Sequence, residues 1–176
     1  MKHSFVASIV SLLLVAFLFQ FQISAISQDA VSFRILQVKS YYFGSTFKLN
    51  WHKAAAFCRS QGLFLVSINN QAQLDGIIEY IKNSGFFRTE KNLQMWTSGN
   101  DLGEQNQFIW TSTGERIVLD RWSVGEPNHA KVDNCTVEQC VVLQHYEPPV
   151  AGGANYSLDD RACQRQYFFM CESLDG

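Results

Sequence analysis

The chain has 176 residues, enough for one domain of ordinary size with a real core. Its formal charge is -2 and no basic run occurs along it, which makes nucleic acid and anionic membrane surfaces poor candidate partners.

The first segment is a leader. "MKHSF" carries one lysine, "VASIVSLLLVAFLFQFQ" is apolar, and "ISAIS" supplies small residues for cleavage after Ala25 or Ser27. The pattern predicts a signal peptide over residues 1–25. A membrane anchor is disfavoured, because the apolar run is near the lower limit for spanning a bilayer and no basic stop-transfer cluster follows. Cleavage removes Lys2 and leaves 13 basic against 16 acidic residues, a charge of -3. Secretion is into an oxidising compartment, so Cys58, Cys135, Cys140, Cys163 and Cys171 read as disulfide formers. Five is odd, so one is left over or pairs with another chain.

"SFRILQVKSYYFG" is aromatic and β-branched with a turn signal after it, and reads as a strand or hairpin. In "NWHKAAAFCRSQG", Trp51, Ala54, Ala55 and Cys58 share one helical face, with Asn50 to cap the start and Gly62 to end it. "LFLVSI" suits a short buried strand. "NNQAQLDGIIEYIKNSG" repeats the helical spacing at Leu74, Ile77, Ile78 and Ile81, between a cap at Asn69 or Asn70 and a stop at Gly85; Gly76 weakens the pattern slightly. Beyond residue 86, "MWTSGN", "FIWTS", "CVVLQ" and "YFFMCES" are strand-like pieces separated by polar loops. The order is that of an α+β domain with its loops gathered in the second half. Long loops between residues 97 and 160 are expected to be functional. Trp51, Trp96, Trp110 and Trp122 lie beside strands and helix faces and read as core, not as an exposed stacking platform.

The loop chemistry suits calcium, which takes six to eight oxygen ligands. "GEPNHAKVDNCTVEQC" offers Glu126, Asn128 and Glu138, and "SLDDRAC" offers Asp159 and Asp160. A cis Glu126–Pro127 bond would reverse the chain so that the flanking side chains converge. E-P-N alone is a short motif of little weight. Its weight comes from the order: E-P-N, then E-x-C at Glu138–Cys140, D-x-x-C at Asp160–Cys163, and a last cysteine in "YFFMCE".

With that order in place, residues 32–173 resemble the C-type lectin family, in a short form without the extra N-terminal cysteine pair. "GLFLVSI", "WTSGNDLGEQNQFIWTSTG" and "GEPNH" support the match. The resemblance implies a C-type lectin-like fold with two helices, small antiparallel sheets, long calcium- and sugar-binding loops and two disulfides. It implies pairing of Cys58 with Cys171 and of Cys140 with Cys163, leaving Cys135. It also implies one calcium ion held by Glu126, Asn128, Glu138, Asp159 and Asp160, the last through side chain and backbone carbonyl. That ion would ligate two neighbouring sugar hydroxyls, and the same side chains would hydrogen-bond them. The E-P-N order resembles mannose- or fucose-type members, whereas galactose-type members carry Q-P-D.

The sequence departs from the family where W-N-D is usual and Leu158–Asp159–Asp160 stands. An ionised Asp159 cannot donate a hydrogen bond, so one sugar hydroxyl faces two acceptors. Loss of one hydrogen bond predicts mannose binding weaker by roughly tenfold. A second calcium site resembles Asn100, Gln105 and His129, with Asp101 nearby; neutral groups replace carboxylates there, so it is expected to be empty or weak. His129 can touch the sugar's edge, and a solvent-exposed loop position is the plainer expectation. Asn134 in "NCT" and Asn155 in "NYS" are N-glycosylation acceptors, and Cys135 can join two chains into a disulfide-linked homodimer whose paired sites gain avidity.

The sequence therefore predicts a secreted, extracellular lectin, similar to invertebrate members of defence or reproductive fluids, that binds glycans on cell or microbial surfaces. A galactose-type lectin and a protein-binding module of the same fold are the alternatives. No catalysis is expected. Glu126 and Glu138 could pair as acid and base, but there is no nucleophile motif, and His52, His129 and His145 are too scattered for a zinc site.

Overall fold

The computed structural model describes residues 39–148 and 155–174. The expected signal peptide and the first residues of the expected N-terminal strand lie outside them. Strand β1 is Tyr41–Leu49, helix α1 is Trp51–Ser60, β2 is Phe64–Leu65 and α2 is Gln71–Asn83. A 3-10 turn at Phe86–Arg88 leads to β3 Leu93–Asn100, β4 Ile109–Trp110 and β5 Glu115–Arg116. The chain closes with β6 Cys140–His145, β7 Ser157–Arg161 and β8 Tyr167–Glu172.

Both helices start and stop where their polar residues allow. The Asn50 side chain accepts from the Lys53 amide at 2.9 Å, and the Asn70 side chain does the same for Gln73. Past the ends, Gly62 and Gly85 take positive φ values of 72° and 81°, which suits glycine. Trp51, Ala54 and Cys58 of α1 are buried, as are Leu74, Ile77 and Ile81 of α2. Ala55 and Ile78 are only partly so.

The strands explain why their sequences are continuous apolar runs. Val141, Leu143, Phe168 and Met170 face a core shared with α2, while Val142, Phe169 and Cys171 face a second core shared with α1. A sheet covered on both sides needs apolar residues at every position. Two disulfides staple this arrangement. Cys58–Cys171 ties α1 to β8 across 113 residues, and Cys140–Cys163 ties β6 to the chain just past β7 across 23. Constraint of the unfolded chain by such bridges is worth about 3–5 kcal/mol each. The ends are joined as well: buried Glu172 accepts from the Ser67 amide and hydroxyl and pairs with Lys39 at 2.7 Å.

Four expectations need correction. The turn signal at Gly44 is no turn, because β1 runs through it to Leu49 with an irregular register. The glycine is needed there because a Cβ would overlap the Phe169 ring. Of "LFLVSI", only Phe64–Leu65 is paired, against β8, although Leu65, Val66 and Ile68 are buried. The small antiparallel sheets are one hydrogen-bonded network of eight strands, including a parallel β3–β8 pairing. Finally, Asp159 and Asp160 lie on a strand, not in a loop. They sit on β7, paired antiparallel with β6, so that Val142 faces Asp159 and Val141 faces Asp160. Two adjacent aspartates conceal a strand from any apolar alternation.

Candidate functional site

The site forms where the loop carrying Glu126 docks onto β7. The Glu126–Pro127 bond is cis, and Gly125 and His129 on either side have φ of 87° and 50°. The chain beyond the proline is pinned by one carboxylate. Asp160 is fully buried, and its two oxygens accept the backbone amides of Asn128 at 3.1 Å and His129 at 2.9 Å. Two N–H donors on one carboxylate fix the loop against the strand.

This docking brings carboxylates together. Oxygen atoms of Glu126, Asp159 and Asp160 all lie within 4.8 Å of one another. Burial pushes the Glu126 carboxyl up to about 7, and the Asp159 and Asp160 charges add to the rise. Burial likewise pushes Asp159 up to about 6, against the opposing pull of Arg161 and Gln144. Glu138 is also raised, again by burial first. Glu126 Oε2 is buried with no hydrogen-bond partner among the described residues. A buried acceptor without a donor is costly, and grouped carboxylates resist losing their protons unless a cation joins them. The donor set, all oxygen, fits a hard cation such as calcium.

The five candidate ligands are not equally placed. Glu126, Asp159 and Asp160 converge. Glu138 reaches the group through Arg161, whose Nη1 is 3.6 Å from Glu138 Oε1. Asn128 is exposed, and its side-chain oxygen accepts from the Ala130 amide at 2.6 Å. Arg161 and Gln144 belong to the site and carried no sequence-based assignment. Arg161 Nη1 donates to Asp159 Oδ1 at 2.6 Å, and Gln144 Nε2 donates to Asp159 Oδ2 at 2.6 Å. Strand periodicity would have found them: with β7 as a strand, Arg161 shares a face with Asp159, and Gln144 lies two residues along β6 from Val142, which faces Asp159.

His129 is not solvent-exposed. Its ring nitrogen lies 2.6 Å from Asp101 Oδ2, its side chain is 11% exposed, and its ring rests against Phe108. Of the residues of the expected second site, Asp101 and His129 meet. The Asn100 amide donates to Ser98 and Thr111, Gln105 is exposed, and Asp101 turns to His129. Trp51, Trp96 and Trp110 are core, whereas Trp122 is partly buried and joins Phe108, Arg116 and Pro127 around a cavity of about 300 Å³. Cys135 is a free, exposed thiol in a short hairpin closed by the Lys131–Val137 bridge. Asn134 and Asn155 are exposed.

The family model described as the lectin C-type domain matches residues 47–173. Among curated relatives, C-type lectin mosGCTL-7 of Aedes aegypti is 27% identical over 94 residues, covering 53% of this chain and 61% of its own length. C-type lectin 37Da of Drosophila melanogaster is 27% identical over 149 residues, covering 82% of this chain and 73% of its own. The crystal structure of the cow C-type carbohydrate-recognition domain of CD23, determined in the presence of a GlcNAc2Man3 oligosaccharide, has 25% identity and a TM-score of 0.59. It covers 80% of this chain and 92% of its own. The cysteine pairing, the two-helix mixed-sheet fold and the family match agree: the chain belongs to the C-type lectin domain family.

Proposed function

We propose that this chain is a secreted, calcium-dependent carbohydrate-binding protein with mannose- or fucose-type recognition. The observation that carries the reading is the partnerless Glu126 oxygen buried beside Asp159 and Asp160. Glu126, Asp159 and Asp160 would hold calcium, with Glu138 and Asn128 completing the set. Bound calcium supplies a Lewis-acidic contact for two neighbouring sugar hydroxyls. This chain's residues orient those hydroxyls: Glu126 and Glu138 accept, and the Asn128 amide donates. Asp159 has no proton to give when ionised, so mannose-type binding is weakened. The apolar leader supports secretion. Among the described residues no helix is long and apolar enough to cross a membrane. The related cow domain, studied with a mannose-containing oligosaccharide, supports the sugar class.

Retention of the secreted protein on mannose and galactose resins, with calcium and then with a chelator, tests this. Mannose-resin retention that free sugar and chelator both abolish is the expected result. Preference for the galactose resin would replace the sugar class.

A second reading is a protein-binding module. The loops between β3 and β6 expose apolar side chains, with Leu102, Val118, Val124 and Val132 exposed at 43%, 76%, 79% and 44%. Passage through both resins, with a calcium-induced rise in melting temperature retained, would favour it.

A further inference from the structure

We infer that Arg161 is a built-in counter-cation of the site, occupying oxygens that calcium needs and thereby raising the calcium concentration at which the site fills. The inference rests on the calcium reading above and concerns what the ion must displace.

One nitrogen carries the argument. Arg161 Nη1 lies 2.6 Å from Asp159 Oδ1, 3.1 Å from the Asp160 carbonyl oxygen and 3.6 Å from Glu138 Oε1. All three atoms are assigned to calcium in the proposed ligand set. A guanidinium cannot share them with a divalent cation, because like charges a few ångströms apart in a half-buried site repel strongly. Calcium binding therefore requires the side chain to leave. A path exists: the Arg161 side chain is 22% exposed, so it can swing outward without moving β7. Besides these acidic groups it faces the phenols of Tyr167 and Tyr146.

Asp159 and Arg161 read as a pair. Asparagine at position 159 would offer the guanidinium one carbonyl and no charge, whereas aspartate holds it with a charge-assisted hydrogen bond. Without metal, Arg161 keeps Asp159 and Glu138 neutralised, so the empty site is stable. Glu126 is left out of this internal pairing, which matches its partnerless oxygen.

The test uses the full secreted protein and three variants: Arg161→Met and Arg161→Gln, which remove the charge, and Arg161→Lys, which keeps it. Gln can still donate to Asp159, so it carries the test should the Met variant fail to fold. The calcium dissociation constant is read by calorimetry, and the melting temperature is read in chelator. The charge-removing variants should bind calcium roughly tenfold tighter or more, the lower end of couplings measured for close charge pairs. They should also melt lower than wild type in chelator. Arg161→Lys should stay near wild type in both. Equal or weaker calcium binding by the charge-removing variants, with wild type binding calcium, overturns the role of Arg161 alone, and so does a lysine variant that behaves like them. No calcium binding by any form overturns the calcium reading itself.

Discussion

Glutamine at position 126 should stabilise the protein without metal and cripple it with metal. The Glu126 carboxyl titrates at about 7 in the folded chain against an ordinary 4.5, because it is buried beside two other carboxylates. Ionising a group so shifted costs about 3 kcal/mol, and partial solvent screening halves that to about 1–2 kcal/mol. The sign follows from proton binding. Because the folded-state value is the higher one, the folded chain holds a proton that the unfolded chain releases. Stability is therefore lost as pH rises from 4.5 through about 7, and the full cost applies above that. Glu126→Gln cannot ionise and avoids the cost. In chelator at pH 8 the variant should melt higher than wild type by roughly 5 °C. At pH 4 to 5, where the wild-type carboxyl is also neutral, the two should coincide. With excess calcium the wild type should gain stability by mass action while the variant gains little. Thermal melts at both pH values, with and without calcium, give all four numbers. A chelated variant that melts lower than wild type at pH 8, or a gap that persists unchanged at pH 5, would refute the electrostatic account.

Asp159→Asn restores a donor for the sugar hydroxyl and should tighten mannose binding by roughly tenfold, measured by competition on the resin; unchanged or weaker binding sinks that account. Asp160→Asn presents one acceptor and one donor group to two amides, from Asn128 and His129, that now both donate. It should cost about 1–3 kcal/mol and abolish the calcium-induced rise in melting temperature. Gly99→Ala would place a Cβ 2.8–2.9 Å from Val141, Ile117 and Trp110. Urea unfolding should show a loss of about 1–3 kcal/mol from this overpacking, with m unchanged.

Helices were legible because their caps and spacings are local. Asn50, Asn70, Gly62 and Gly85 act within one turn of the residues they serve, and their positions follow from the chain itself. The disulfide pairing came from resemblance, since spacing alone leaves several pairings open. Asp159 and Asp160 were found as residues but placed in a loop, because two buried carboxylates break the apolar run that marks a covered strand. That misplacement hid Arg161 and Gln144, whose roles depend on the β6–β7 register. His129 was misread as exposed for a similar reason. Its partner Asp101 is 28 residues away, and nothing local announces the contact. The parallel β3–β8 pairing was beyond reach as well, because it depends on how the whole chain returns to the sheet.

The long bridge from Cys58 to Cys171 has a bearing on how the molecule survives a protease. The exposed stretch from Gly125 to Glu138 lies between its two ends, and a protease reaching it would cut one peptide bond. The halves would stay covalently joined, one holding Cys58 and the other Cys171, and both would stay packed in the shared sheet. Such a nicked molecule would run as a single band until a reductant is added, then as two. Damage to this loop can thus accumulate without the molecule falling apart, and an intact-looking band on a non-reducing gel is no proof of an intact loop.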